Sequence, residues 1–165
     1  MCHFGFPMRV AILTISDSVS RGTHKDASGP GLHERCVQLG WDVIAEVVLP
    51  DEPAAIRDRL MFLADSGAAD LILTTGGTGI GPRDSTPEAT TEACHKILPG
   101  IAELMREEGR KKTPRAVLSR AVAGVRGSVL IVNLPGSPRG AVESLDVVAD
   151  LLPHALQVLG GARHD

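Results

Sequence analysis

Three short apolar runs, each breaking off abruptly into a loop of small and charged residues, set the strongest limit on what this chain can fold into. They are Arg9–Ile15 (RVAILTI), Asp70–Thr75 (DLILTT) and Ser128–Val132 (SVLIV). Aliphatic residues fill consecutive positions rather than alternating, as strands buried on both faces require. The segment from Trp41 to Leu49 alternates instead, which predicts another strand lying towards an edge. Helical periodicities fall between the strands. Leu32, Cys36 and Leu39 recur at i, i+4 and i+7 before Gly40, predicting a helix over Gly31–Leu39. Asp51 is typed as the N-cap of a helix bearing Ile56, Leu60 and Leu63, with Glu52 and Pro53 in its first turn. Thr86 as N-cap and Pro87 as first residue open another, with Ala89, Ala93 and Ile97 along one face. A further helix is predicted over Ile101–Glu108, stopped by Gly109, and a last helical region carries Val142, Leu145, Val148, Leu152, Leu156 and Leu159. The basic stretch from Gly109 to Gly127 is assigned to no element. Strands alternating with helices argue for a mostly parallel, doubly wound α/β sheet, because each parallel pairing needs a crossover.

The expectation is therefore one three-layer α/β domain over residues 1–165, with its core between about residues 9 and 159. The length of 165 residues suits one such domain, and 43% hydrophobic with 22% charged residues suits a globular chain. Aromatics are 2% and tyrosine is absent, so a base-stacking platform for single-stranded nucleic acid lacks its material. A formal charge of −3 gives no general attraction to nucleic acid or to an anionic membrane. Cys2, Cys36 and Cys94 contain no C-x-x-C pair and support neither a disulfide framework nor a zinc cluster. The start, MCHFGFPMRV, lacks the pattern of a secretory signal, and no stretch has the roughly 20 apolar residues that span a bilayer. A cytoplasmic location is the expectation.

Ligands of a doubly wound sheet bind outside the carboxyl ends of its strands. All three buried runs end there in unusual loops: SDSVSRG, GGTGIGPRD and NLPGSPRG. The first extends to about sixteen residues before the next helix, which is long for a plain connection. In the second, Gly76, Gly77, Gly79 and Gly81 let backbone N–H groups approach an anion without interference from Cβ. No lysine follows Gly81, so this is not a Walker A loop. Pro82 stands where a dinucleotide-binding fingerprint needs its last glycine. Beyond it, Asp84 is placed either to hold Mg²⁺ against phosphates or simply to favour a helix N-terminus. The six histidines show no metal-ligand pair, and no cysteine is placed as a nucleophile.

The run LTTGGTGIGPRDSTPEAT, with ISDSVSRGTHKDASGPGL upstream and TPRAVLSRAVAGVRGSVLIVNLPGSPRGA downstream, resembles the molybdopterin adenylyltransferases of molybdenum cofactor biosynthesis. The resemblance runs from Arg9 to about Leu159. It implies adenylyl transfer from ATP to molybdopterin with release of pyrophosphate and a requirement for Mg²⁺. It implies that Asp84 binds the metal and that Asp51, in LPDE, is a second functional carboxylate, while the helix-cap reading of Asp51 stays open. Gly76, Gly77, Thr78 and Gly79 would contact the nucleotide phosphates, closed on the other side by Pro135, Gly136 and Ser137. Asp17, Ser18, Arg21, Gly22, Ser119 and Arg120 would contact substrate. The basic residues Arg110, Lys111 and Lys112 read as a solvated face. A homotrimer and contacts with other cofactor-biosynthesis proteins are further implications. The contrasting reading is a non-catalytic pterin carrier or scaffold of the same fold.

Overall fold

The computed structural model describes residues 7–161. Its elements run β1 (Arg9–Ile15), α1 (Asp17–Ser20), α2 (Ser28–Gln38), β2 (Asp42–Leu49), α3 (Pro53–Asp65), β3 (Leu71–Thr75), α4 (Thr86–Ala93), β4 (Lys96–Ile97) and α5 (Pro99–Arg110). A 3-10 turn (Pro114–Leu118), β5 (Ala123–Arg126), β6 (Val129–Leu134), α6 (Pro138–Val148) and α7 (Leu151–Leu159) follow. The sheet has six strands in the order β2-β1-β3-β6-β5-β4. β2, β1, β3 and β6 are mutually parallel, whereas β5 and β4 are antiparallel additions. The predicted doubly wound α/β architecture is present, with β2 at an edge.

The consecutive apolar residues of the strands divide between two cores, because successive side chains leave a strand on opposite faces. Val10, Ile12, Leu71, Leu73, Leu130 and Val132 join Leu32, Met105, Leu145 and Leu152 on one face. Ala11, Leu13, Ile72 and Ile131 join Ile56, Leu60 and Ala89 on the other. Full burial of one such aliphatic side chain contributes roughly 1.5 to 3 kcal/mol, so both helical layers are held by hydrophobic packing on a central sheet.

Several boundaries differ from the sequence expectation. α2 begins at Ser28 rather than Gly31, its N-terminus supported by Asp26, whose carboxylate accepts the Gly29 N–H at 3.0 Å. α4 stops at Ala93 because Cys94 is extended, and Ile97, which fits the apolar stripe of that helix, lies in β4 instead. Pairing with β5 decides this, Ile97 standing opposite Gly124. Gly109 lies inside α5 rather than ending it, and β6 runs on to Leu134. The unassigned basic stretch supplies the 3-10 turn and β5, joined to β6 at Gly127, whose φ is +58°. The last helical region is two helices.

Both helix-cap assignments are corrected. α3 has Glu52 at the N-cap position with no side-chain cap bond, and Asp51 lies before it. Its carboxylate accepts the Asp17 N–H at 2.9 Å instead. α4 has Ser85 at the cap position, and the buried Thr86 hydroxyl donates to Gly76 O at 3.0 Å. In both cases a loop offered the side chain a better partner than its own helix did.

Candidate active site

β1, β3 and β6 are adjacent and parallel, so their three exit loops meet at one end of the sheet. Buried side chains tie the strand ends together. Asn133, in β6, donates through Nδ2 to the hydroxyls of Thr74 and Thr90, both at 2.9 Å, while its Oδ1 accepts the Val122 N–H. Thr75 donates to Pro135 O at 2.7 Å, and the Gly76 N–H donates to Leu134 O at 3.2 Å. The two glycine loops consequently touch: a Cβ on Gly136 would stand 3.2 Å from the Gly76 Cα. At Gly77 the φ is +69° and a Cβ would meet the Thr86 hydroxyl oxygen at 2.2 Å.

Two cavities flank this ridge. The first, of about 370 Å³, is bordered by Thr14, Ser16, Asp26, Asp51, Gly76, Gly77, Asp84 and Gly136. The second, of about 400 Å³, is bordered by Gly79, Ile80, Met105, Lys112, Ser119, Pro135, Ser137 and Glu143, and its walls are largely apolar. Of the residues expected from the sequence, Asp51, Asp84, Gly76, Gly77 and Gly136 thus border one cavity. Gly79, Ser119, Pro135 and Ser137 border the other. Thr78 is buried between them, its carbonyl accepting the Arg120 N–H at 2.8 Å.

Asp17, Ser18, Arg21, Gly22 and Arg120 line neither cavity. Asp17 is a bracket for the site: its carboxylate accepts the Asp51 N–H at 2.9 Å and two bonds from the Arg83 guanidinium, which also reaches Glu52 at 2.8 Å. Ser18 turns its hydroxyl to Ser16 at 3.1 Å, and Gly22 supplies a left-handed turn at φ +78°. Arg21 is exposed beside it. Sequence reasoning missed Thr14, Lys25 and Asp26 in the first cavity, and Met105 and Glu143 in the second. Lys112 is not on a plain solvated face, since it borders the second cavity 3.6 Å from Glu143. The charged residues of SDSVSRGTHKD and the i+4 spacing of Arg139 and Glu143 were the available signals.

The carboxylates are tuned in opposite directions. Hydrogen bonding from Arg83 holds Asp17 below the ordinary aspartate value. Burial, with the charges of Asp17 and Asp84, pushes Asp51 above it. Because the folded value of Asp51 is raised, its ionised form destabilises the fold at neutral pH, and that penalty fades as pH falls through the raised value. Asp51→Asn removes the charge while its amide oxygen can still accept the Asp17 N–H. Its melting temperature is expected to equal or exceed the wild type at pH 7, with the difference lost below about pH 4. Thermal melts at the two pH values check this, and a marked loss at pH 7 alone would count against the electrostatic account.

A family model described as a probable molybdopterin binding domain matches residues 11–154. The chain belongs to the molybdopterin-binding family. A molybdopterin adenylyltransferase of Helicobacter pylori is 37% identical over 161 residues, covering 93% of this chain and 89% of the relative. The Escherichia coli K12 molybdopterin adenylyltransferase is 35% identical over 169 residues, covering 93% and 86%. Among solved structures of the family, the molybdopterin biosynthesis enzyme MoaB of Thermus thermophilus superposes with a TM-score of 0.88 at 51% identity, covering 96% of this chain and 99% of that one. The residues that the family model matches include both glycine loops and the segment carrying Ser119 and Arg120.

Proposed function

We propose that the protein transfers the adenylyl group of ATP to molybdopterin within molybdenum cofactor biosynthesis. The observation that carries this reading is the pair of cavities meeting at the Gly76–Asp84 and Pro135–Ser137 ridge, one bordered by Asp26, Asp51 and Asp84, the other largely apolar. The apolar cavity suits the flat pterin, and its boundary with the ridge suits a terminal phosphate. The carboxylates of the first cavity suit the phosphates of the nucleotide with a cation between them, and Lys25 adds a positive charge there. A terminal phosphate oxygen of molybdopterin attacks the α-phosphorus of ATP. The new P–O bond forms as the bond from the α-phosphorus to the α,β-bridging oxygen breaks, and pyrophosphate departs with that electron pair. The nucleophile is already ionised near neutral pH, so no strong general base is needed, and positioning with charge neutralisation carries the catalysis.

The chain's residues divide the work by what they have left to offer. The N–H groups of Gly76 and Gly81 are engaged with Leu134 O and Asp84 Oδ2. Phosphate binding therefore passes to Gly77, Thr78 and Gly79, while Gly76 and Gly136 allow close backbone approach. Ser137 caps α6 through its hydroxyl, which accepts the Gly140 N–H, and so sets the α6 N-terminus against the ridge. Asp17 with Arg83 holds Asp51 in place. Ser119 with Pro135 borders the pterin side.

Asp84 and Asp51 would hold Mg²⁺. Both border the first cavity, and the charge of Asp84 is one of those that raise Asp51. Among the described residues no group of three or more histidine, cysteine, aspartate or glutamate side chains forms a protein-only metal cage. One or two carboxylates, completed by phosphate and water, are the usual protein share of a Mg²⁺ site. When bound, the metal would neutralise charge on the triphosphate and the departing pyrophosphate. Among the described residues no helix is long and apolar enough to cross a membrane; a cytoplasmic site of action is part of the proposal. Incubation with ATP, Mg²⁺ and molybdopterin, followed by chromatography, is expected to yield adenylylated molybdopterin and pyrophosphate. Absence of both products would overturn the reading. The chain assembles as a homotrimer and meets other cofactor-biosynthesis proteins. Light scattering is expected to give about three times the mass of one chain, and a monomer mass at micromolar concentration removes that proposal.

A further inference from the structure

The loop that carries Asp84 is irregular from Thr78 onward, yet adenylyl transfer needs that carboxylate at a fixed place. Within the loop the Gly81 N–H donates to Asp84 Oδ2 at 2.9 Å and the Asp84 N–H to Gly81 O at 3.1 Å. These bonds shape the loop from within, and Arg83 ties its outer side to Asp17 and Glu52. Arg120 supplies the anchor on the inner side, where the loop backbone is held. Its backbone N–H donates to Thr78 O at 2.8 Å, its Nε to Gly79 O at 2.8 Å and its Nη2 to Asp84 O at 3.0 Å. Its Nη1 pairs with the Glu88 carboxylate in the first turn of α4. One planar guanidinium thus joins both ends of the loop to the helix that follows, a geometry that an ammonium group cannot reproduce.

We propose that Arg120 is a positioning residue that clamps the Gly79–Asp84 loop and so fixes Asp84 beside the ridge, rather than a residue that touches substrate. The inference rests on the adenylyl-transfer reading for its catalytic consequence, but the clamp itself is measurable without substrate. Arg120→Lys keeps the charge and loses the fork. Hydrogen–deuterium exchange is expected to quicken about tenfold or more at the Gly79–Asp84 amides, with β3 and the body of α4 unchanged. The same variant is expected to lose about 10- to 100-fold in kcat, the scale of a small misplacement, with both KM values held within a few-fold. Glu88→Gln, which leaves the two carbonyl bonds, is expected to lose less in both readouts and serves as the test if the lysine variant melts below the assay temperature. Unchanged loop exchange, or faster exchange throughout the protein, overturns the clamp. A raised KM for molybdopterin with kcat intact overturns it by making Arg120 a substrate contact. A wild type that forms no product sinks the adenylyl-transfer reading alone, and the exchange pattern still decides on the clamp.

Discussion

Asp84→Asn is expected to lower kcat for adenylyl transfer about 10²- to 10⁴-fold, the scale of removing one electrostatic stabiliser from a charged transition state. The substitution keeps the size and shape of the side chain and removes only its charge. Asp84 Oδ2 accepts the Gly81 N–H at 2.9 Å, and the amide oxygen of asparagine can accept the same bond, so the loop retains its internal form. Stability should therefore change by no more than about 1 kcal/mol, the ordinary worth of one such hydrogen bond. Equilibrium binding of molybdopterin should move little, because Asp84 does not border the largely apolar cavity. Turnover at saturating ATP and pterin binding are the two measurements. Normal turnover removes Asp84 from the catalytic machinery. Joint loss of turnover, pterin binding and thermal stability would make its role structural.

Gly76→Ala is expected to destabilise the protein by about 3 kcal/mol, adding backbone strain of roughly 1 to 3 kcal/mol to overpacking of similar size. Gly76 has φ +103°, and a Cβ there would stand 2.2 Å from the Ile15 carbonyl oxygen. That oxygen belongs to backbone that cannot readily yield, since Ile15 is paired with Leu49 and the next N–H, of Ser16, donates to Leu49 O at 2.9 Å. For a chain of this length the melting temperature should fall by about 6 to 12 °C. The contrasting variant is Gly22→Ala, where φ is +78° but nothing lies within 4 Å of the added atom. It should lose only the conformational term, about 1 to 2 kcal/mol. Equal melting temperatures for the two variants would show that the approach of β1 to the glycine loop is not what Gly76 serves.

The doubly wound fold was legible in the sequence because burial on both faces leaves a local trace. Leu71, Ile72 and Leu73 are apolar in succession, and only a strand covered on both sides accommodates them. The placement of Asp51, Asp84 and the glycines near one another was legible for a related reason. Parallel strands carry their exit loops to the same end, whatever those loops contain. What stayed hidden was decided between segments far apart in the chain. Ile97 fits a helical stripe, but its partner Gly124 draws it into a strand. Thr86 and Asp51 have the composition of helix caps, but Gly76 O and the Asp17 N–H claim their side chains. Arg120 is expected from the sequence to contact substrate, and only the structure shows three of its donors turned to Gly79 O, Asp84 O and Glu88. Local pattern thus determined the fold and which loops would meet, because hydrophobic periodicity and glycine conformations act over a few residues. The task of each polar side chain was decided by the tertiary structure alone, because a hydrogen bond goes to whichever partner the packing brings within about 3 Å.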